Sequence, residues 1–297
     1  MDRRTFGRAA AALAVTGPVA QALAWSEPAA QKNWGQRWQA IEAAVGGRLG
    51  VAVLDSADGT LAGHRLDERF AMCSTFKSLA AGLVLARVDA GQERLDRRVA
   101  VAKGDLLEWA PVSGQHVGGT MSVAELCEAA ITVSDNTAAN LLLASFGGPP
   151  EVTAFMRRLG DTTTRLDRNE PALNEALPGD PRDTSTPRAM AATLRALMLG
   201  DALSTSGRAQ LVAWMTANTT GAQRLRAGLP PDWRVADKTG TGSRGATNDM
   251  GVLWPPHRAP LVVVTYLADC AAAAPAREGA LADVARAIAG ASWTKAS

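Results

Sequence analysis

The chain has 297 residues, 47% of them hydrophobic and 20% charged, with a formal net charge of +2. This composition is ordinary for a globular protein, and the small net charge argues against a nucleic-acid-binding protein, which would carry a basic face. The length suits one large domain or two closely packed lobes.

The N-terminus is predicted to be a twin-arginine export signal over residues 1–24. Arginines stand at positions 3 and 4, an apolar stretch follows at 9–15, and small residues at 22–24 suit a signal peptidase. Cleavage takes three arginines and one aspartate from 31 basic and 29 acidic residues and leaves 28 of each. We expect a periplasmic protein of residues 25–297 that is not held in a membrane. The alternative is a flexible cytosolic N-terminus.

Short strands are predicted near both ends of this mature chain, because short apolar or alternating runs are bounded there by Gly, Asp or Pro. They are Val51–Leu54, Thr60–Arg65, Arg234–Lys238, Thr247–Trp254 and Leu261–Leu267. Amphipathic helices at 35–45 and 278–290 can cover the resulting sheet.

The interval 75–228 is predicted to be rich in helices. Ser122 and Glu125 have the spacing of a capping box, and Pro149 and Pro187 open helical runs. The predicted fold is α+β: an antiparallel five-stranded sheet flanked by the terminal helices, with an inserted all-helical lobe. The sheet lobe takes about 25–66 and 220–297, and the helical lobe about 67–219. A groove between two lobes is where a ligand is expected.

One long segment, residues 165–183, has no helical or strand periodicity. It is rich in proline and in charges of both signs, which can pin it to itself as a compact Ω-loop. Long loops inside compact domains are usually functional or disordered. We favour function because the segment contains Glu170 and Asn174; the alternative is a solvated surface insertion.

A candidate nucleophile stands in Ser74-Thr75-Phe76-Lys77. A serine hydroxyl needs a base within hydrogen-bond reach, and residues three apart share a face of a helix, so Lys77 can direct its amine at Ser74. The composition from Lys77 to Ala90 favours a helix. If Lys77 is buried by its apolar neighbours, its amine can become neutral and basic; the alternative is a solvated lysine.

Other arrangements of a serine nucleophile are not present in the sequence. The chain has no Gly-x-Ser-x-Gly motif, and its three histidines accompany no serine motif. An amine and a carboxylate remain as bases. Glu170 is the candidate carboxylate, and Asn174 can hold a water against it.

Four motifs in order carry a resemblance to a known family. They are Ser74-Thr75-Phe76-Lys77, Ser134-Asp135-Asn136, Glu170-Pro171-Ala172-Leu173-Asn174 and Lys238-Thr239-Gly240. A Ser-x-x-Lys motif alone is unspecific, and a second copy stands at Ser292–Lys295. The set of four resembles the class A serine β-lactamases, over about residues 34–286.

The resemblance implies a role for each motif residue. The residues expected in catalysis are Ser74, Lys77, Ser134, Glu170 and Asn174. Those expected to bind substrate are Trp109, Asn136, Arg224, Lys238, Thr239, Gly240 and Thr241. Ser74 is expected to be acylated, Ser134 to protonate the leaving nitrogen, and Glu170 to be the deacylation base. The base in acylation stays open between Lys77 and Glu170. The resemblance also implies an Arg168–Asp183 ion pair in the Ω-loop.

The cysteines depart from the pattern of some relatives. Some pair the position of Cys127 with a cysteine where this chain has Ala81, and carbapenem-hydrolysing relatives often pair the position of Cys73 with one at Gly242. We therefore expect Cys73, Cys127 and Cys270 to be unlinked, and Cys73 to be a buried filler. Trp109, Arg224 and Thr241 nevertheless resemble broad-spectrum relatives, so carbapenem hydrolysis stays open.

The expected function is hydrolysis of penicillins and cephalosporins, which confers antibiotic resistance. No metal or organic cofactor is expected, the partner is a small β-lactam, and the protein is expected to be a monomer. One alternative is a penicillin-binding D-alanyl-D-alanine peptidase, which shares three of the motifs. The other is a sensor domain that stays acylated. Glu170 and Asn174 favour the hydrolase, because only it needs rapid attack by water on the acyl-enzyme.

Overall fold

The computed structural model describes residues 31–291. The predicted export signal and the second Ser-x-x-Lys motif lie outside these residues. The strands are β1 (Arg48–Asp55), β2 (Leu61–His64), β3 (Phe70–Ala71), β4 (Arg98–Ala100), β5 (Thr120–Ser122), β6 (Thr184–Ser185), β7 (Arg234–Thr241), β8 (Thr247–Trp254) and β9 (Leu261–Ala268). The α-helices are α1 (Gln31–Val45), α2 (Phe76–Asp89), α3 (Val123–Thr132), α4 (Asn136–Ser145), α5 (Pro149–Arg158), α6 (Pro187–Met198), α7 (Thr205–Thr216) and α8 (Ala274–Ala289).

A five-stranded sheet joins the two ends of the described chain. Its order is β2-β1-β9-β8-β7, and every neighbouring pair is antiparallel. Helices α2 to α7 are inserted between β2 and β7. The predicted α+β fold is therefore confirmed, while the lobe limits near residues 66 and 219 stay a prediction.

Apolar side chains cover both faces of the sheet. Along β1, Val51 and Val53 belong to one buried cluster and Ala52 and Leu54 to the other, as the alternation of side chains in a strand requires. The first cluster includes Trp38 of α1 and residues of α8, and the second includes most of the buried residues of the inserted helices. The sheet is thus the layer that both groups of helices share.

The end of β7 differs from the sequence prediction. The predicted strand stopped at Lys238, but β7 continues to Thr241 and pairs with β8 as far as Thr247. Polar residues in this stretch hid the strand, because a strand was expected to be apolar or to alternate. The continuation places the Lys238-Thr239-Gly240 motif on a rigid edge strand.

The inserted segment also contains two strand pairs that the sequence did not predict, β3 with β6 and β4 with β5. Each strand has only two or three residues, too few to show a period. The predicted helix starts agree with the structure. Ser122 and Glu125 form the capping box, with Glu125 N donating to Ser122 Oγ at 3.1 Å and Ser122 N to Glu125 Oε2 at 2.6 Å.

Candidate active site

Ser74 lies on a 3-10 turn, Cys73–Thr75, that leads directly into α2. Cys73 before it has a φ of 47°, in the left-handed region that costs a residue other than glycine about 1–3 kcal/mol. This turn brings Ser74 to the edge of a cleft, where only 8% of the residue is exposed. Ser74 Oγ donates a hydrogen bond to Glu170 Oε1 at 3.2 Å.

Lys77 is the second residue of α2 and is fully buried. Its Nζ donates to Asn136 Oδ1 at 2.6 Å and to the Ser134 carbonyl at 2.9 Å, and it is 3.1 Å from Glu170 Oε1. Among the described residues, no hydrogen bond joins Lys77 Nζ to Ser74 Oγ. The direct contact that the helical spacing allows is not made in this structure, where Glu170 Oε1 contacts both groups instead.

The charge of Lys77 is set by two opposing causes. Burial lowers its pKa from the usual value, and the Glu170 carboxylate opposes this shift. A lysine with a lowered pKa can give up and accept a proton near neutral pH more readily than a solvated one. Its position between a carboxylate and Ser134 makes it a proton-transfer group as well as an electrostatic one.

Glu170 is held in the cleft by two asparagines. Asn174 Nδ2 donates to Glu170 Oε2 at 2.5 Å. The backbone of Glu170 is fixed by Asn140 of α4, whose Oδ1 accepts from Glu170 N at 3.0 Å and whose Nδ2 donates to the Glu170 carbonyl at 2.9 Å. The buried Oδ1 of Asn174 has no hydrogen-bond partner within the described protein. It can therefore accept a hydrogen bond from a small ligand such as water.

The Ω-loop that carries Glu170 is closed by ion pairs. Arg168 Nε lies 2.6 Å from Asp183 Oδ2, as the resemblance implied. Asp183 is fully buried, and its Oδ1 also accepts from the backbone N–H of Asp167 and of Arg168, at 2.7 and 2.9 Å. Asp183 thus ties the end of the loop to its beginning, and this fixes the frame in which Glu170 sits.

Ser134 faces Ser74 from the other wall of the cleft. Its φ of 59° lies in the left-handed region, and Asp135 caps α4 by accepting from Ala138 N at 2.8 Å. Ser134 Oγ accepts hydrogen bonds from Lys77 Nζ at 3.3 Å and Lys238 Nζ at 3.2 Å. Burial, with Lys77 as a second cause, holds the pKa of Lys238 well below its usual range. Two amines therefore converge on one hydroxyl that can exchange protons with them.

Gly240 lets β7 approach the turn that carries Ser74. A Cβ atom at Gly240 would lie 2.7 Å from the Met72 carbonyl oxygen and 3.2 Å from Cys73 Cβ, so a larger residue would push the strand away. Asn248 of β8 strengthens the same junction, because its Nδ2 donates to the carbonyls of Ala71 and Met72 at 2.8 and 3.0 Å. The width of the cleft is set at this junction.

Arg224 lies beside the outer half of β7 and is buried. It donates to the carbonyls of Gly240 and Asn248 at 2.9 and 2.7 Å, and to Thr241 Oγ1 at 2.7 Å. Glu278 of α8 lies 3.3 Å from Arg224 Nη2. The guanidinium is therefore fixed in position and places positive charge behind Thr241.

These groups surround one cavity of about 250 Å³. Its lining consists of Ser74, Trp109, Ser134, Asn136, Thr220, Arg224, Thr239, Gly240 and Thr241. Lys77, Glu170 and Lys238 stand behind this lining and reach it through Ser74 and Ser134. Trp109 is 55% exposed at the rim, where its Nε1 donates to the Val133 carbonyl at 2.9 Å. The structure thus brings the predicted site residues together.

Comparisons with known proteins agree with this geometry. Residues 34–291 match the family profile described as the β-lactamase enzyme family. β-Lactamase CTX-M-97 of Escherichia coli is 53% identical over 253 residues, which cover 85% of this chain and 87% of the relative. β-Lactamase OXY-1 of Klebsiella oxytoca is 50% identical over 253 residues, which cover 85% of this chain and 87% of the relative. The solved structure of an ancestral class A β-lactamase is 62% identical, with a TM-score of 0.85, and the match covers 86% of this chain and 98% of that one.

The chain belongs to the class A β-lactamase family. It is a hydrolase of β-lactams, and enzymes of this kind confer antibiotic resistance. Within residues 31–291, no three His, Cys, Asp or Glu side chains are grouped so that they could hold a metal ion. None of the helices in the same range is both long and apolar enough to cross a membrane.

The three cysteines of this β-lactamase are buried and unlinked, as predicted. Burial raises the pKa of the Cys73 thiol to about 12, with Glu170 as a second cause. A thiol with so high a pKa is protonated at neutral pH, which suits a packing role rather than a nucleophile. A Cβ atom at Gly242 would lie 2.6 Å from Cys73 Sγ, so these two positions do face each other.

Sequence reasoning missed several residues of the β-lactamase site. Asn140 fixes Glu170, Asn248 fixes the turn of Ser74, and Thr220 lines the cavity. Asn140 could have been found, because it follows Asn136 by four residues and so lies on the same face of α4. Thr220 and Asn248 stand in no motif, and no signal in the sequence pointed to them.

Proposed function

We propose that this β-lactamase opens the ring amide of penicillins and cephalosporins through an acyl-enzyme on Ser74, and that Glu170 directs the water that releases the product. One observation carries the proposal. Glu170 Oε1 is 3.2 Å from Ser74 Oγ and 3.1 Å from Lys77 Nζ, while Glu170 Oε2 is held by Asn174. A single carboxylate therefore reaches both the nucleophile and the place where a water can be held.

In the acylation step, Ser74 Oγ attacks the β-lactam carbonyl carbon. Its proton passes either to Glu170, which is the hydrogen-bond acceptor that Ser74 contacts, or to Lys77, which lies 3.1 Å from the same carboxylate oxygen. Backbone N–H groups of Ser74 and Thr241 are assigned to the oxyanion. When the carbon–nitrogen bond breaks, Ser134 donates its proton to the ring nitrogen. Lys77 or Lys238 then restores that proton, and where Glu170 was the base it returns its own proton to this pair of amines through Lys77, so that Glu170 is again a carboxylate before deacylation.

The substrate is oriented by charge at one end of the cavity and by an amide at the other. Lys238, Thr239 and Thr241 are assigned to the ring carboxylate, with Arg224 as a fixed positive charge behind Thr241. A bound carboxylate would favour the charged form of Lys238 despite its burial. Asn136 is assigned to the side-chain amide of the substrate, and Trp109 to its apolar part at the rim.

In the deacylation step, a water between Glu170 and Asn174 attacks the ester carbon. Glu170 accepts a proton from the water, and Asn174 Oδ1 accepts a hydrogen bond that sets the orientation of the water. The bond from Ser74 Oγ to the acyl carbon breaks, and the oxygen regains a proton. Acylation can use Lys77 or Glu170 as its base, but deacylation depends on Glu170.

The test is the Glu170→Ala variant. Loss of a positioned general base costs about 10²–10⁴-fold in the step it serves. If that step is deacylation, the variant should consume about one equivalent of penicillin in a rapid burst, hold it as the acyl-enzyme and then nearly stop. Intact-mass spectrometry should show a penicilloyl adduct that disappears when Ser74 is also changed to Ala.

Steady turnover by Glu170→Ala at the parent rate would contradict the proposal. A D-alanyl-D-alanine peptidase would cleave an acyl-D-Ala-D-Ala peptide with the parent protein, and a sensor domain would keep its adduct even with Glu170 intact. Peptide cleavage and the lifetime of the penicilloyl adduct, both measured with the parent protein, therefore distinguish these two alternatives before any variant is made.

We also propose that the enzyme is exported to the periplasm by its twin-arginine sequence, is not membrane-bound and acts as a monomer. Changing Arg3 and Arg4 to Lys should leave active enzyme in the cytoplasm, because the exporter reads the arginine pair. The measurement is β-lactamase activity in periplasmic and cytoplasmic fractions. Unchanged periplasmic activity would contradict export by this route.

A further inference from the structure

Thr220 lines the cavity and lies at the centre of a short chain of hydrogen bonds. Its Oγ1 is 2.8 Å from Asn218 Oδ1 and 2.5 Å from Thr239 Oγ1. Asn218 in turn donates a hydrogen bond to Asp237, which is fully buried and lies two residues before Thr239 on β7. The hydrogen-bond chain therefore runs from the buried Asp237 carboxylate to the Thr239 hydroxyl, which is the group assigned to bind the substrate carboxylate.

The side-chain amide of Asn218 has only one orientation that satisfies its neighbours. Its Nδ2 donates to Asp237 Oδ2 at 2.6 Å, and its Oδ1 accepts from the backbone N–H of Thr220 at 3.1 Å. In the flipped orientation the NH₂ group would face a backbone donor and the carbonyl would face a carboxylate. Asn218 Oδ1 is thus fixed as an acceptor.

The direction of the two hydroxyls follows from this. Because Asn218 Oδ1 can only accept, the Thr220 hydroxyl donates to it. A hydroxyl has a single proton, so the bond between the two threonines must use the proton of Thr239. In the free enzyme, Thr239 therefore points its proton at Thr220 and presents lone pairs to the cavity.

The buried end of this hydrogen-bond chain, at Asp237, is held in place by the surrounding fold. Asp237 Oδ1 accepts from Arg226 Nε at 2.7 Å, which holds the carboxylate in place. Gly221, next to Thr220, allows the backbone to rest on Asp237, because a Cβ atom there would lie 2.1 Å from Asp237 Oδ2. The position of Thr220 is thus fixed from both sides.

We propose that Thr220 is a specificity-determining residue that holds the Thr239 proton away from the cavity, so that a substrate carboxylate must break the Thr239–Thr220 hydrogen bond before Thr239 can donate to it. The inference rests on the proposed function, which assigns the carboxylate to Thr239. An anion gains the stronger, charge-assisted bond, so it still binds. Its affinity is lower than the same cavity would give without Thr220 as a competing acceptor.

The test is the Thr220→Val variant, which keeps the shape of the side chain and removes its hydroxyl. Binding is measured in the Ser74→Ala background, where no acylation can follow, with benzylpenicillin and with its methyl ester as ligands. In this variant the neutral Thr239–Thr220 hydrogen bond no longer competes with the substrate carboxylate. The dissociation constant of the free acid should therefore fall by about 2- to 10-fold. The ester carries no anion and offers only a neutral carbonyl acceptor, so its dissociation constant should change clearly less than that of the free acid.

Two controls separate this from a general structural effect. Thr220→Ser keeps the hydroxyl and should bind like the parent. In a Thr239→Val background, Thr220→Val should have no further effect on the free acid, because the hydroxyl it releases is gone. This coupling between the two positions is a readout that a change in folding alone would not give.

Weaker or unchanged binding of the free acid by Thr220→Val would overturn the proposal, and so would an equal shift for the ester. Weaker binding would mean that Thr220 contacts the carboxylate directly. Because these measurements need no turnover, they are independent of the hydrolysis test. A parent protein that fails to hydrolyse penicillin overturns the proposed function and leaves the binding comparison to be judged by itself.

Discussion

Two aspartates on the strands next to the cavity, Asp237 of β7 and Asp249 of β8, are fully buried. Asp249 Oδ2 accepts a hydrogen bond from Leu225 N at 3.1 Å. Burial, with the nearby Asp237 charge as a second cause, raises the pKa of Asp249 well above its usual value. The structure therefore favours a neutral Asp249 at neutral pH.

We expect this proton to make the stability of the enzyme depend on pH. A group whose pKa is raised on folding contributes stability that is fully present below its unfolded pKa, about 4, and is lost as pH rises toward the folded pKa. Asp249→Asn is neutral at every pH. The unfolding free energy of the parent should therefore fall relative to the variant from about pH 4 upward, by at most about 1.4 kcal/mol per pH unit.

Urea unfolding of both proteins at several values between pH 4 and pH 8 measures this difference. A difference in unfolding free energy that stays constant over that range would mean that Asp249 is ionised in the folded state.

At this scale, the motifs alone located the reacting groups but not their contacts. The partner of Ser74 could not be read from the helical spacing of Lys77, because Glu170 lies 96 residues away and its position depends on how the Ω-loop folds back. Thr220 was invisible for a related reason. The role of Thr220 depends on its hydrogen-bond chain through Asn218 to Asp237, and neither of these two residues belongs to a motif that pointed to Thr220.

Among the structural elements, the Ω-loop is the one whose geometry controls a reaction step. The end of the loop is held by Asp183, whose carboxylate accepts hydrogen bonds from the Arg168 guanidinium and from two backbone N–H groups. Asp183→Ala leaves these donors without their acceptor inside the protein. Breaking a buried ion pair by removing one partner costs about 3–5 kcal/mol. We expect the loop to open more often and acyl-enzyme to accumulate during turnover, because Glu170 leaves its position.

Hydrogen exchange of residues 165–183 and intact-mass spectra during turnover check this prediction. Arg182→Ala is the matched control, since within residues 31–291 the exposed Arg182 forms an ion pair with Asp180 of the same loop and with no other residue. The control should behave like the parent. Equal exchange rates in Asp183→Ala and the parent would show that the proline-rich chain holds itself without the ion pair.

Elements were predictable from the sequence where a period was long enough to see. Strand β8 was predicted with its observed limits, Thr247 to Trp254, because the residues from Met250 to Trp254 are apolar and a proline follows them. Strand β7 was cut short at Lys238 because its last residues are polar for the sake of the cavity. The polar residues that line the cavity are therefore the ones that made the end of this strand unrecognisable from its sequence pattern.

For the molecule as a whole, the shared sheet should make unfolding a single event. Leu281 of α8 is fully buried in the cluster that faces away from the active site. Leu281→Ala should lower the unfolding free energy by about 2–5 kcal/mol. Because both clusters rest on the same strands, we expect one transition at a lower temperature, with kcat/KM at 25 °C unchanged.

Differential scanning calorimetry measures the number of transitions. Arg286→Ala, at an exposed position of the same helix, is the control and should leave the transition nearly in place. A thermogram that splits into two peaks in Leu281→Ala would show that the two sides of the sheet unfold separately.

The order of strands was the part of the whole fold that local patterns could not supply. Val51 of β1 pairs with Thr265 of β9, more than 200 residues later. Periodicity identifies both strands but carries no information on which strand pairs with which. The prediction that both ends of the chain build one sheet was confirmed, and the specific order is a property of the folded chain.

That order has a consequence for how the enzyme is made. Strand β1 pairs with β2 on one side soon after both leave the ribosome, but its other partner, β9, begins only at residue 261. Synthesis at about 5–20 residues per second leaves this edge of β1 open for about 10–40 s. An open apolar edge invites pairing with other chains. We therefore expect the nascent enzyme to be most prone to association with other chains until β9 has been made, and a transporter that accepts only folded cargo would have to wait for β9 to pair.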